Sequence, residues 1–107
     1  MYVYLLLNIT PQNEEFHKIG ITKRDIDKRI KELQTGNPSE IKLLREYKSK
    51  NYKKIESWLH RKYSTNKTET DNEWRVLTDE QVFNFLSDCK EIDDTINFLK
   101  ENNDFYS

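Results

Sequence analysis

Residues 17–38 read HKIGITKRDIDKRIKELQTGNP, and the way this stretch divides decides the fold. Its first part is short, β-branched and strand-like, with Gly20 near the end. A glycine there lets a backbone, side chain or ligand come close. Ile26, Ile30 and Leu33 then recur at helical spacing. Thr22 or Asp25 supplies the N-cap, Gly36 suits the position just past the helix, and Pro38 forbids continuation. The segment is a strand, a turn and a helix, and Arg29 stands at the margin of the helix's apolar stripe.

Upstream, residues 2–7 form an apolar run of strand length. Tyr2, Tyr4 and Leu6 point one way and Val3, Leu5 and Leu7 the other. Both faces are apolar, which predicts a central strand covered on two sides. Residues 8–15, with Pro11 and Asn13, read as a hairpin loop leading to a second strand over 16–22.

Downstream, residues 40–47 read as a third strand with Ile41, Leu43 and Tyr47 on one face. A second helix over about 51–63 carries the stripe Tyr52, Ile55, Leu59 and Tyr63, with Trp58 on its flank. A polar loop leads to a short extended piece at 73–77, and Thr78 with Gln81 forms a capping box. The last helical region, one helix or two, presents Val82, Leu86, Cys89, Ile92, Ile96 and Leu99, and the final residues are expected to fray. The order predicts an α+β layer fold: a small three-stranded antiparallel sheet flanked by helices. We read residues 1–107 as one domain, with a core over about 2–86 and an acidic helical extension over 87–107.

Of 107 residues, 35% are apolar and 35% charged, so the core is small and leans on six Tyr, five Phe and two Trp. No apolar run approaches a membrane span or a signal-peptide core. The expectation is an intracellular, cytoplasmic protein, in a host cytoplasm if phage-encoded, with no membrane partner. The single cysteine, Cys89, excludes an internal disulfide and a cysteine-built zinc site, and it falls on a packed stripe. Residues 1–75 carry a net charge of +5 and residues 76–107 one of −6, so an anionic partner would meet the first two thirds.

Several ionisable residues belong to the margin of this core. Tyr4 and Lys18 lie on strands that hairpin pairing brings together. Arg29 lies on the first helix, Glu56 and His60 share a face of the second, and Glu73 and Arg75 flank Trp74. Each has an ordinary structural reading when taken singly: a core tyrosine, solvated lysines, surface ion pairs. Together, a phenol, an amine, a guanidinium and one carboxylate suit attack on a phosphodiester. The guanidinium binds phosphate through paired donors. The carboxylate holds one hard divalent ion with open water positions, and the phenol positions or activates water.

The motifs Y-V-Y-L-L at 2–6, K-I-G-I-T at 18–22, Arg29 with K-E-L-Q-T-G-N-P at 31–38, I-E-S-W-L-H at 55–60 and E-W-R-V-L-T at 73–78 arrive in order. In this the chain resembles the GIY-YIG endonuclease superfamily, especially its branch of short phage and bacterial proteins with a K-I-G second motif. The resemblance spans about residues 2–86. It implies that Tyr4 is the base or water-positioner, Arg29 the phosphate-binding arginine, Glu56 the single metal ligand for Mg²⁺ or Mn²⁺, and Gly20 the second-motif glycine. Lys18 falls where many members have a second tyrosine, and a cation there would favour an ionised Tyr4. Leu33 stands where many members have a histidine, so His60 is the candidate to contribute instead. The family's late asparagine has no clear match, and Glu73-Trp74-Arg75 occupies that region.

The implied activity is metal-dependent hydrolysis of DNA, by nicking or double-strand cutting, leaving a 5′-phosphate and a 3′-hydroxyl. DNA would be held by its backbone through Lys23, Arg24, Lys28, Lys53, Lys54, Arg61, Lys62 and Arg75. Cutting both strands makes a homodimer possible. Two other readings stand beside this one: a catalytically inactive nucleic-acid-binding or regulatory module of the same fold, and a protein-interaction domain using residues 78–107.

Overall fold

In the computed structural model, which describes residues 1–63 and 75–102, β1 (Tyr2–Ile9) is the middle strand of a three-stranded antiparallel sheet. β2 (Glu15–Thr22) and β3 (Glu40–Lys48) flank it in the order β2-β1-β3. Three helices complete the domain: α1 (Ile26–Gln34), α2 (Tyr52–Lys62) and α3 (Asp79–Asn102). This is the α+β fold expected. Among the described residues no helix is long and apolar enough to cross a membrane.

The two-faced pattern of β1 has the meaning anticipated. Val3 and Leu5 enter the main core beneath α2 and α3, with Ile55, Leu59, Phe85, Cys89 and Ile96. Tyr4 and Leu6 enter a smaller cluster under α1 with Ile26 and Ile41, closed at its edge by Ile30 and Leu33. The third strand departs from expectation. Its register against β1 slips by one residue, so that Leu6 faces Leu43 but Leu5 faces Arg45. The extra residue reverses the inside–outside phase of the strand. Ile41 and Leu43 therefore sit on the α1 side while Leu44 and Tyr47 pack on the other.

Asp25, rather than Thr22, caps α1, its Oδ1 accepting from the Asp27 N–H at 2.9 Å. Gly36 adopts φ +74°, as a residue ending a helix by a left-handed turn requires. Gln34 then ties α1 to β3, donating to the Ser39 carbonyl (2.7 Å) and accepting from the Ile41 N–H (3.0 Å).

α3 is one helix of 24 residues, begun by the Thr78–Gln81 capping box, whose two bonds measure 3.0 and 3.1 Å. Phe85, not Leu86, faces the core: Phe85 is fully buried and Leu86 is 40% exposed. Cys89, Ile92 and Ile96 are buried in the main core as well, so residues beyond 86 help to build it and are not an appendage. Burial pushes the Cys89 thiol up to about 12, as befits a packed group. The expected extension over 73–77 is seen from Arg75 onward, where Arg75 bridges to His17. Glu73, Trp74 and the last five residues lie outside the described part.

A polar knot fastens α3 to the turn between β3 and α2. Asp93 accepts from the Tyr47 hydroxyl (2.8 Å), the Ser49 hydroxyl (2.8 Å) and the Asn51 amide (2.7 Å). Lys100 donates to Asn51 Oδ1 at 2.6 Å. Burial alone would raise the Asp93 pKa, but these bonds and Lys100 hold it below the ordinary aspartate value.

Candidate active site

The site begins with strand pairing. Tyr4 stands opposite Gly20 and Leu6 opposite Lys18 in the β1–β2 ladder, and residues directly opposite share a face. Tyr4 and Lys18 therefore lie on the α1 side of the sheet. The Tyr4 ring is laid across Gly20 so closely that a Cβ there would meet its Cζ at 2.5 Å and its Cε1 at 2.7 Å. Ile26 and Ile30, packed on this cluster, fix the rotation of α1, which brings Arg29 to the tyrosine. The hydrogen bond with Tyr4 is the main cause of a raised Arg29 pKa, and Glu32, at 3.3 Å, adds to it.

The opposite wall comes from α2. Ile55 and Leu59 are fully buried, and with the helix phase set this way, Glu56 and His60 fall together on the side facing β2. Their side chains remain 26% and 30% exposed, and His60 Nε2 lies 3.8 Å from Glu56 Oε2. The result is a cavity of about 280 Å³ at the β2 edge, lined by Tyr4, Lys18, Arg29, Glu56 and His60 with Ile19, Gly20 and Ile21. All five side chains expected to carry chemistry, drawn from four separate elements, border this one space.

Arg75 is placed differently from the expectation of a DNA-contacting surface. It is only 3% exposed. Its backbone exchanges two hydrogen bonds with His17 of β2 (2.5 and 2.7 Å), and its Nη1 donates to the His60 carbonyl at 3.1 Å. Burial lowers its pKa and the nearby Glu56 carboxylate opposes that effect. Arg75 thus spans from the strand wall of the cleft to the helix wall. Among the described residues, its Nε and the buried Nδ1 of His60 have no hydrogen-bond partner. His17, which anchors Arg75, was not singled out from the sequence. Buried and with a lowered pKa caused by desolvation, its Nδ1 accepts from the Leu77 N–H at 3.2 Å. Nothing in its sequence neighbourhood marks it as an anchor.

The other cations expected to meet DNA are exposed: Lys23, Arg24 and Lys28 around the start of α1, and Lys53, Lys54, Arg61 and Lys62 on α2. Lys62 pairs with Asp88 at 3.2 Å.

No group of three His, Cys, Asp or Glu able to hold a metal occurs among the described residues. A single half-buried carboxylate open to a cleft nevertheless fits one kind of ion. A hard divalent cation such as Mg²⁺ keeps several waters and takes one or two carboxylates, completing its shell from substrate phosphate. Glu56 meets that requirement, and zinc, with its demand for three or four protein ligands, does not fit this donor set.

No curated protein and no solved structure matches the chain. A family model does: the T5orf172 domain, over residues 1–100. The match takes in all three strands and most of α3, and the chain belongs to the T5orf172 domain family, a nuclease-related group.

Proposed function

We propose that this domain is a divalent-metal-dependent DNA endonuclease of the GIY-YIG type, hydrolysing phosphodiester bonds to leave a 5′-phosphate and a 3′-hydroxyl. The observation that carries the reading is the convergence of Tyr4, Lys18, Arg29, Glu56 and His60 on one cavity. Their chemistry is complementary. Arg29 offers a fork of donors to the non-bridging phosphate oxygens. The Tyr4 phenol, which borders the same cavity as Arg29, orients the attacking water, and Lys18 on the same face adds positive charge toward the phosphate. Glu56 would hold Mg²⁺ or Mn²⁺, which when bound supplies Lewis acidity toward the phosphate and the leaving oxygen. His60, one turn on, orients the Glu56 carboxylate. The exposed lysines and arginines hold the DNA backbone without reading sequence, so binding should weaken steeply with salt.

The test is nicking of supercoiled plasmid in Mg²⁺ or Mn²⁺. Wild type should convert it to open circles, and Arg29→Ala and Glu56→Ala should each lower the rate by about 10²-fold or more. A wild type that never nicks, or variants that nick as well as wild type, would sink the reading.

A further inference from the structure

A second cavity, of about 710 Å³, opens on the same face of the sheet. We propose that it is a subsite for an unstacked base of single-stranded DNA next to the phosphodiester held at Tyr4, with Tyr2 as the stacking platform. This deepens the nuclease reading and rests on it.

Position argues first. Tyr2 and Tyr4 are alternate residues of β1, so they share a face and stand about 7 Å apart along the strand, within the reach of one nucleotide. In the other direction that face is closed, since Leu6 is fully buried beneath Ile26, Ile30, Leu33 and Ile41. A nucleic-acid strand leaving Tyr4 along β1 must pass Tyr2, which is only partly buried at the margin of the same cluster.

The register argues second. Tyr2 stands opposite Lys48 on β3 and Thr22 on β2, and Lys23 and Arg24 follow directly from Thr22. The slip in β3 has a consequence here. It turns Glu46 and Lys48 onto the tyrosine face, whereas an unbroken strand would point them away. An aromatic ring on a sheet surface, flanked by cations, suits a base stacked on the ring with its phosphates at the sides.

Chemistry argues third. The lining is not uniformly basic, because Glu46, Asp25 and Asp27 join Lys23, Arg24 and Lys48. Asp25 already caps α1. The remaining carboxylates would repel a site's worth of phosphate, but they accept from the exocyclic amino groups of bases.

The experiment is fluorescence anisotropy with a labelled single-stranded 12-mer in metal-free buffer, with plasmid nicking run on the same preparations. Tyr2→Ala should weaken binding about 5- to 100-fold, the range expected for a lost base–aromatic stack, and Tyr2→Phe should stay within about twofold. A 12-mer of the same backbone with abasic positions should bind wild type more weakly by a similar factor, an arm that needs no variant. Equal binding of the abasic and intact strands by wild type, or of wild type and a folded Tyr2→Ala, overturns the subsite, even if nicking is intact. Tyr2-dependent binding without nicking supports the subsite and overturns the catalytic reading alone. Neither binding nor nicking by wild type overturns both.

Discussion

Gly20 lies directly opposite Tyr4 in the β1–β2 ladder, and the tyrosine ring occupies the space into which any other residue's Cβ would project. The glycine is therefore tied to where a phenol must go, and the phenol in turn meets Arg29. Two strands and a helix are locked together by one ring.

Gly20→Ala tests that lock. Tyr4 is 2% exposed, so the ring has little room to withdraw, and forcing it aside should cost about 1–3 kcal/mol of stability. Because a displacement near 1 Å at a reacting group is enough for a large rate loss, nicking should fall about 10²-fold. Thermal melting and plasmid nicking measured together check this. A stable variant with wild-type nicking would show that the ring's position does not matter.

Arg75 separates two roles by one measurement. A cation on the DNA-contacting surface would, when removed, weaken DNA binding. A buried arginine that spans from His17 on β2 to the His60 carbonyl on α2 would instead disturb the cleft. Arg75→Met keeps the packed stem and removes the guanidinium. It should lower stability by about 1–3 kcal/mol and nicking by about tenfold or more. DNA affinity in metal-free buffer should stay within about twofold. A variant that loses affinity but keeps its turnover at saturating DNA would put Arg75 back at the interface.

Arg75 also marks the limit of what the sequence discloses. Glu56 and His60 were legible because Ile55 and Leu59 fix the phase of their helix, and a period of 3.6 says which neighbours share a face. Tyr4 was legible through the alternation of β1. Arg75 follows a polar loop and belongs to no periodic segment, so its sequence neighbourhood carries no sign of burial. The β3 slip was hidden for a related reason. Alternation assigns faces only while register is unbroken, and no residue between Leu43 and Arg45 announces the extra position. Nor does composition tell Phe85 from Leu86 as the core residue of α3, since both are large and apolar and the choice depends on the angle at which the helix docks.

His17 should give the fold a pH dependence near neutrality. Its pKa is lowered below the ordinary histidine value by burial, against the opposing effects of Glu15, the Arg75 backbone and Asp79. A base with a depressed folded-state pKa binds fewer protons folded than unfolded. Its contribution is therefore complete above about pH 6.5 and is lost as the pH falls through the folded value. Protonation also forbids Nδ1 from accepting the Leu77 N–H. Wild type should lose stability against urea as the pH is lowered below about 6.5. His17→Asn, which keeps an acceptor but does not titrate, should flatten that part of the profile. An unchanged slope would remove His17 as the cause.

Asp93 decides whether the acidic helix is an appendage or part of the fold. Three donors from the end of β3 and the turn that follows it converge on its carboxylate, and the next inward-facing residues, Ile92 and Ile96, are buried in the main core. Because the Asp93 pKa is lowered, its stabilisation is complete above the ordinary aspartate value of about 3.9 and disappears as the pH falls through the folded one. Asp93→Ala removes the acceptor shared by Tyr47, Ser49 and Asn51, of which Asn51 keeps its bond to Asn97, and should cost about 2–4 kcal/mol at neutral pH, with a smaller difference from wild type in acid. Ending the chain after residue 87 removes Cys89, Ile92 and Ile96 as well. A domain of this size has little stability to spare, so that truncation should abolish the cooperative urea transition seen by circular dichroism. A truncated chain that still unfolds cooperatively would show that the sheet, α1 and α2 stand without the second half of α3. The cleft formed by Glu56 and Arg29 would then owe nothing to that helix, whereas the buried contacts of α2 with Phe85, Cys89 and Ile96 predict that Glu56 is held in place partly from behind.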